Sequence, residues 1–369
     1  MTAARLLYLT DRLSVRGGAD QHLLAVVRAA VERGAPVTVA CGRVEPEVDL
    51  PRDARTVRLR GLASRTASPA GLNGLGELLA AAEVVHVQNV MNPVPLSAAA
   101  RTGRAVVTLQ DHRLFCPGPG RTLPDGCRCT LQMADAACAA CLPTPGYRRE
   151  MLALTAARRD ALRGSRPIVL SRYMAREVTE AGLGEALVLP PWIEPGPPRN
   201  SPGAGFLLGG RLVAHKDPLT AWRGWRRSVC GHPLRVAGEG PLVRDLVDAE
   251  HLGWLGSGGL RAELRSSRAL LFPARWQEPF GILPVEALAE GTPVVAADVG
   301  GTREWSDAGC LVVPSGDARA FADAIARLAA DEQLALRLGR EGRAMVADRF
   351  SRMRLEPRLW QLYEDVTRR

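Results

Sequence analysis

Residues 276–295 read WQEPFGILPVEALAEGTPVV, which indicates a loop, a glycine, a short helix and a buried strand in succession. The loop carries Glu278, Gly281 precedes the helix, and the helix carries Glu286. A helix N-terminus behind a glycine can bind an anion, because its first backbone N–H groups are unpaired and the helix dipole is positive there. Carboxylates on either side of such a site suit the hydroxyl groups that flank a bound phosphate. The alternative is an amphipathic helix with two solvated glutamates.

A basic segment lies upstream, at the end of another predicted strand. Residues 206–217 read FLLGGRLVAHKD, and Lys216 is the only lysine in the chain. A lysine ammonium is a compact charge that fits a tight phosphate pocket, whereas arginine is a planar fork. Chance retention of one lysine is the alternative. Arg211 and Lys216 after a strand can stabilise the charge of a departing diphosphate. Ribose hydroxyls, diphosphate and sugar hydroxyls together give the outline of a nucleotide-sugar.

Five short motifs follow one another from about Gly205 to the C-terminus. They are Gly210-Arg211 with Lys216, the turn Ala237-Gly238-Glu239-Gly240-Pro241, Leu255-Gly256, the Glu278/Glu286 pair, and Gly300-Gly301-Thr302-Arg303-Glu304. Their order and spacing resemble those of the retaining glycosyltransferases of family 4, which have the GT-B fold. The N-terminal half resembles that family more loosely.

The resemblance implies an α/β protein of GT-B type, with two Rossmann-like, doubly wound domains facing across a cleft. It implies a hexosyltransferase that moves a sugar, with retention, from a UDP- or GDP-sugar to an unidentified natural product, lipid or growing glycan. Arg211, Lys216 and the amides after Phe280 would stabilise the leaving diphosphate, Glu286 would bind the ribose, and Glu278 would touch the donor sugar or its leaving phosphate. The implied donor-binding residues are Gly17, Gly18, Gly210, Glu239, Leu255, Phe280, Gly281, Ile282, Leu283 and Glu286.

The N-terminal half offers further candidates at predicted strand ends. Gly17-Gly18 forms a glycine loop before a helix, and Asp20 stands where the family more often has glutamate. His86, Gln110 and His112 are additional catalytic candidates, although a hydrogen-bonded structural histidine is the alternative for His86. Gln110 replaces a histidine that contacts the donor sugar in many family members. An amide can hydrogen-bond a hydroxyl but cannot supply a proton or a positive charge.

A cysteine-rich insert follows, at about residues 113–145. Five of the eight cysteines lie there, in a segment with few large apolar residues, so it cannot bury a core of its own. Thiolate clusters in a cytosolic protein favour metal over disulfide. Cys116, Cys127, Cys138 and Cys141 would make a structural zinc site, with Cys129 as the alternative ligand. Disulfides, free thiols and an iron–sulfur cluster are the other possibilities.

Length and composition favour an ordinary globular protein of about two domains. The predicted domains are residues 1–192 for the acceptor, residues 193–350 for the donor, and a helix over 351–369 that crosses back to the first domain. No charged-then-apolar leader and no run of about 20 apolar residues is present, which favours a cytoplasmic location. The net charge of +9 comes from arginines spread along the chain. Anionic substrates or a peripheral membrane contact account for it better than nucleic acid does.

Alternating apolar segments and helical patterns predict mostly parallel sheets. Predicted strands lie at 5–10, 36–40, 83–87, 105–109, 167–170, 187–189, 206–209, 234–236, 269–272, 294–296 and 311–313. Predicted helices include 21–32, 317–346 and 351–367. The proline-rich run at 190–203 is the predicted linker.

Other functions remain open at this stage. A nucleotide-sugar epimerase or hydrolase of the same fold would also use this donor site, and a donor-binding partner subunit could have lost catalysis. A redox or metal-sensing role for the cysteine insert is a weaker alternative. No Asp-x-Asp triplet occurs, which disfavours a metal-chelated diphosphate, and we expect no cofactor to be required for catalysis. Base, sugar, acceptor and oligomeric state are not predicted.

Overall fold

The computed structural model describes residues 4–368. The chain forms two compact units. The first comprises Met1–Leu189 together with Pro357–Arg369, and the second comprises Pro190–Glu356.

The first unit is built on a seven-stranded parallel sheet with strand order β3-β2-β1-β4-β5-β6-β7. Strands β2 and β3 are added on one side of β1, and β4 to β7 are added on the other side. We call this point a reversal of sheet growth; the loops after β1 and β4 diverge there. The elements are β1 (Leu6–Leu13), α1 (Gly18–Glu32), β2 (Val37–Val44), β3 (Ala54–Arg58), α2 (Leu75–Ala81), β4 (Val84–Gln88), α3 (Pro93–Ala100), β5 (Ala105–Leu109), α4 (Asp135–Cys138), α5 (Pro145–Ala161), β6 (Arg166–Val169), α6 (Arg172–Glu180) and β7 (Leu187–Val188).

The second unit contains a six-stranded parallel sheet with strand order β10-β9-β8-β11-β12-β13. Here the reversal lies between β8 and β11. The elements are β8 (Phe206–Gly209), α7 (Pro218–Ser228), β9 (Leu234–Ala237), β10 (Glu250–Gly253), α8 (Ser257–Ser266), β11 (Ala269–Phe272), α9 (Ile282–Ala289), β12 (Val294–Ala297), β13 (Cys310–Val313), α10 (Ala318–Ala330) and α11 (Glu332–Arg349). The last helix, α12 (Arg352–Thr367), ends the described chain.

Each unit has its own apolar core. Central strands contribute fully buried side chains such as Val85 in the first unit and Leu271 and Val295 in the second. Strands covered by helices on both faces are apolar along their length, as these are. The predicted α/β architecture of two Rossmann-like, doubly wound domains is therefore confirmed.

The end of α12 belongs to the first unit, where its apolar side chains are buried. Leu359, Tyr363 and Val366 are each at most 3% exposed. The Tyr363 hydroxyl lies 3.4 Å from the Tyr8 hydroxyl on β1, within hydrogen-bonding distance. Side-chain burial and this polar contact hold the chain terminus to the first sheet.

Three local features differ from the sequence prediction. Strands β3 and β10 were not expected, because edge strands of this kind carry exposed and charged residues such as Arg55 and Glu250. The single helix expected over 317–346 is two helices. Asp331 separates them, since its side chain accepts a hydrogen bond from the Leu334 amide at 2.8 Å and so begins α11.

Candidate functional site

The loop after β8 carries the first two predicted basic residues. Gly210 has φ of 105°, a conformation that favours glycine, and it turns the chain out of the strand. Arg211 is exposed, and its side chain forms no ion pair or hydrogen bond with residues 4–368. Lys216 ends a short 3₁₀ turn before α7. One positive charge is therefore open to a ligand and the other is already engaged within the unit.

Lys216 and Glu278 form an ion pair, with Nζ 2.5 Å from Oε2. The lysine side chain is 24% exposed and the glutamate side chain 8% exposed, so water screens the pair only in part. The Trp276 indole also donates to Glu278 Oε2, at 2.8 Å. Lys216 Nζ lies 4.9 Å from the centre of the Trp276 ring, within the range of a cation–π contact. The Lys216–Glu278 ion pair thus links the loop after β8 to the loop after β11.

The backbone of the 276–281 loop is fixed by long-range hydrogen bonds. The amide of Trp276 donates to the His215 carbonyl at 3.2 Å, and that of Gly301 donates to the Glu278 carbonyl at 2.6 Å. The Trp305 indole donates to the Phe280 carbonyl at 2.6 Å. A Cβ at Gly300 would lie 2.4 Å from the Glu278 carbonyl oxygen, and Gly300 has φ of 53°. Only glycine therefore allows this close approach.

Helix α9 begins beside that loop. Gly281 precedes it with φ of 86°, and no side chain of residues 4–368 caps the helix. The amides of Ile282 and Leu283 are therefore available to a ligand, while Pro284 has no N–H. The positive end of the helix dipole adds to the attraction for an anion.

Glu286 lies on α9 and is half-buried. Burial raises the pKa of its carboxyl group; the charge of Arg261 opposes that shift and the charge of Glu290 adds to it. Glu290 itself is buried and paired with Arg261, whose Nη2 is 2.5 Å away. No residue between 4 and 368 donates a hydrogen bond to the Glu286 carboxylate. Glu286 is consequently a half-buried acceptor without a donor from the described chain.

The turn after β9 packs closely on the loop after β8. A Cβ at Gly238 would lie 1.9 Å from the Gly210 carbonyl oxygen, and a Cβ at Gly240 would lie 2.3 Å from that of Leu212. Glu239, between these glycines, is exposed, and Leu255 is half-buried in the segment after β10. These glycines are needed for contact between the two loops rather than for turn geometry alone.

All the predicted residues of the second unit that follow β8, β9 and β11 lie at the carboxyl ends of these parallel strands. Strands β8 and β11 flank the point at which sheet growth reverses. In open α/β sheets, ligands bind at such a point, outside the carboxyl ends of the strands. The Lys216–Glu278 pair and the start of α9 belong to the loops that follow these two strands.

In the first unit, the glycine loop is formed as predicted at the start of α1. Gly17 has φ of 131° and Gly18 is the first helical residue. Asp20 is 3% exposed and pairs with Arg12, whose Nη2 lies 2.8 Å from Oδ2. Burial raises the pKa of Asp20, and the hydrogen bond from Arg12 opposes that effect. Asp20 is engaged inside the unit.

His86, one of the predicted catalytic residues, has the surroundings of a structural histidine. It is 2% exposed, and each of its ring nitrogens lies 2.6 Å from a hydroxyl, Nδ1 from that of Tyr363 and Nε2 from that of Thr108. Burial lowers its pKa to about 3, so the ring is neutral at physiological pH. With both nitrogens occupied, His86 links β4 to β5 and α12, which is the structural alternative.

Gln110 and His112 have different surroundings. Gln110 Nε2 lies 2.8 Å from Nδ1 of His22, a residue that the sequence analysis did not select. Burial lowers the pKa of His22 to about 4. His112 is fully buried, and its Nε2 lies 2.9 Å from the Tyr173 hydroxyl. The side chain of His112 therefore packs inside the first unit, and its catalytic role stays a prediction.

The predicted zinc site in the cysteine insert stays a prediction. Burial raises the pKa of Cys141, and the charges of Cys129, Cys116 and Cys138, which lie near it, raise it further. All eight cysteines are free, and no group of three or more His, Cys, Asp or Glu between residues 4 and 368 could hold a metal ion. Cys127 is exposed. Cys129 instead lies near Cys116, since the Cys129 amide donates to the Arg121 carbonyl and the Arg121 amide donates to Cys116 Sγ. Cys138 and Cys141 follow in and just after α4.

Ion pairs anchor the insert to α6. Arg121 and Arg128 each place Nε 2.6 Å from one carboxylate oxygen of Glu177, which is fully buried on α6. Arg148 pairs with Asp135 at 2.8 Å. The sequence analysis missed Glu177, because nothing near it in the chain shows that it faces two arginines about fifty residues away.

Residues 233–345 match the family model of the group 1 glycosyl transferases. Among curated proteins, the glycogen synthase of Mycobacterium tuberculosis is 33% identical over 160 residues, covering 37% of this chain and 38% of that protein. A phosphatidyl-myo-inositol mannosyltransferase of Mycobacterium leprae is 35% identical over 122 residues, covering 32% of each. The chain thus spans about a third of the length of the curated relatives it matches.

Solved structures extend the likeness to both units. HepE of Anabaena, crystallised with UDP and glucose, is similar to this chain with a TM-score of 0.69 and 16% identity. The match covers 98% of this chain and 100% of HepE. The chain accordingly shares the fold of HepE. A search of helices between residues 4 and 368 finds none long and apolar enough to span a bilayer.

Proposed function

We propose that this protein is a glycosyltransferase that uses a nucleoside-diphosphate sugar as donor. The observation that carries the proposal is the Lys216–Glu278 pair beside the uncapped N-terminus of α9. Both follow the two strands at which the second sheet reverses its growth. The match of residues 233–345 to group 1 glycosyl transferases supports it.

Each part of the site has a chemical task in this proposal. The diphosphate binds at the amides of Ile282 and Leu283, with Lys216 and Arg211 neutralising the charge that develops as the sugar departs. Glu286 accepts hydrogen bonds from the ribose hydroxyls, since its half-buried carboxylate lies on α9 and accepts none from the described residues. Glu278 contacts the donor sugar.

The chemistry of the site and the names of the relatives support particular classes of donor and acceptor. We propose a UDP- or GDP-sugar, because HepE is recorded with UDP and a relative is named as GDP-mannose-dependent. We propose a hydroxyl-bearing lipid, glycan or natural product as acceptor, with residues 1–192 as the acceptor domain and 193–350 as the donor domain. A cytoplasmic location with peripheral membrane contact belongs to the same proposal.

Retention of configuration is part of the proposal. On this mechanism the acceptor attacks the face that the diphosphate leaves, and a phosphate oxygen takes the acceptor proton. The anomeric configuration of the product, measured by NMR coupling constants, tests it. An inverted product would contradict the assignment to the retaining family 4.

A ligand screen tests the donor site directly. UDP, GDP and ADP should be compared by thermal shift, because a ligand that binds only the folded state raises the melting temperature. We expect UDP or GDP to raise it, and Glu286→Ala to abolish most of that rise. A wild-type protein with the same melting temperature in all three nucleotides at millimolar concentration would refute the proposed donor site.

A further inference from the structure

Trp276 contacts both members of the Lys216–Glu278 pair. Its indole N–H donates to Glu278 Oε2 at 2.8 Å, and its ring centre lies 4.9 Å from Lys216 Nζ. The imidazole of His215 lies against the same indole, with 5.1 Å between ring centres. The Trp276 side chain thus interacts with both charged groups of the pair.

The two donors meet at one oxygen of Glu278. Lys216 Nζ and Trp276 Nε1 both donate to Oε2, whereas Oε1 accepts no hydrogen bond from any residue between 4 and 368. Two donors on one oxygen restrict rotation of the carboxylate and leave the other oxygen directed elsewhere. Because the Glu278 side chain is only 8% exposed, a hydrogen bond from a ligand to Oε1 would be strong.

The roles of the two donors differ once a diphosphate is present. The ammonium of Lys216 has three N–H groups and can turn toward a phosphate, whereas the indole has a single N–H and accepts no hydrogen bond. When Lys216 turns toward the phosphate, the Trp276 N–H still donates to Glu278 Oε2. Its position in the loop is also fixed, since the Trp276 amide donates to the His215 carbonyl.

We propose that Trp276 is a positioning residue for the donor sugar, holding Glu278 through Oε2 so that Oε1 can accept a hydrogen bond from a sugar hydroxyl. This rests on the proposed function of the donor site. It predicts that Trp276 matters for the sugar half of the donor and much less for the nucleoside diphosphate half.

The variant Trp276→Phe removes the N–H and keeps an aromatic face for Lys216. The matched control is Trp222→Phe, because Trp222 donates to the Val247 carbonyl at 2.8 Å and has the Arg226 guanidinium 5.5 Å from its ring. Calorimetry should compare UDP with UDP-glucose, and GDP with GDP-mannose. We expect Trp276→Phe to weaken binding of the nucleotide-sugar about tenfold and that of the free nucleotide less than about threefold.

A double-mutant cycle shows whether the effect passes through Glu278. In a Glu278→Ala background, Trp276→Phe should cause no further loss of nucleotide-sugar affinity, since the carboxylate that it positions is gone. An equal loss in both backgrounds would overturn the proposal. Equal losses for free nucleotide and nucleotide-sugar would overturn it as well.

The fluorescence of Trp276 distinguishes a role at the ligand site from a purely structural role. Lys216 carries its charge over the Trp276 ring, so a diphosphate that draws the ammonium away should change the indole emission. We expect the nucleotide-induced emission change of the wild type to persist in Trp222→Phe and to be lost in Trp276→Phe. A full change in Trp276→Phe would count against movement of Lys216 on this ring.

Failure of the donor site and failure of the Trp276 role give different results. If the wild type binds none of the four ligands, the proposed function is wrong. If the wild type binds them and Trp276→Phe behaves like Trp222→Phe, only the positioning role of Trp276 is wrong.

Discussion

Replacement of Lys216 tests the core of the proposed chemistry. Lys216→Met removes the ammonium while keeping an unbranched side chain of similar length, and it leaves Glu278 with the Trp276 indole as its one donor. The replacement should change both the free energy of unfolding and the turnover, and the contacts of Lys216 indicate the magnitude of each change.

The stability part should be small. Two unit charges 2.5 Å apart at an effective dielectric constant near 20 attract by about 7 kcal/mol, but most of this is offset by desolvation and by the solvent that reaches the 24% exposed lysine. A net loss of about 1 kcal/mol in the free energy of unfolding is expected. The catalytic part should be larger, because loss of one preorganised group that stabilises developing negative charge costs about 10²- to 10³-fold in turnover.

Turnover should be measured as release of nucleoside diphosphate from the donor that the ligand screen identifies. The control is Arg226→Met, because Arg226 forms a surface ion pair of 2.6 Å with Asp248 and removal of that charge affects no proposed ligand contact. The control should keep wild-type turnover. Wild-type turnover in Lys216→Met would refute the assignment of the leaving-group charge to this residue.

Further predictions concern three other sites. Glu286→Gln should melt at a higher temperature than the wild type at pH 7 without ligand. Burial raises the folded-state pKa of Glu286, so the folded protein binds more protons and loses stability as pH rises above the unfolded value near 4.3. The difference should vanish at about pH 4, and a persistent difference there would contradict this cause. His86→Phe should lower the free energy of unfolding by about 1–3 kcal/mol, because it leaves buried hydroxyls unpaired, and should keep turnover within about threefold; a hundredfold loss would restore His86 as a catalytic residue. Glu177→Gln should increase proteolysis of residues 113–145 far more than Cys138→Ser with Cys141→Ser does. Elemental analysis tests the predicted metal site: about one zinc per chain in the wild type, lost in that cysteine variant, would support it.

Sequence reasoning succeeded where the relevant signal is local. The parallel sheets follow from short apolar runs separated by helical patterns. Most predicted strands lie within a residue or two of the observed ones, although β1 and β2 end three and four residues later than predicted. Gly281 and Glu286 could be selected as candidate donor residues because a glycine, a helix start and a carboxylate are close together in the chain. Edge strands β3 and β10 were not predicted, because exposed polar residues interrupt their apolar pattern.

Side-chain roles that depend on distant partners could not be predicted in the same way. His86 and His112 stand near strand ends in the sequence, yet the positions of Tyr363 and Tyr173 make both buried structural residues. The cysteine spacing suggested a metal, whereas Arg121 reaches Glu177 fifty-six positions later.

The amino-acid order alone therefore determined the α/β class, the two-sheet organisation and the segments that hold the candidate donor site. Those properties depend on periodicity and on glycines with a local conformational requirement. Only the tertiary structure decided that Lys216 pairs with Glu278 sixty-two positions away, that Trp276 completes the pair, and that the insert is held by ion pairs. The physical reason is that ion pairs and hydrogen bonds act over a few ångströms, and folding alone brings such distant residues that close.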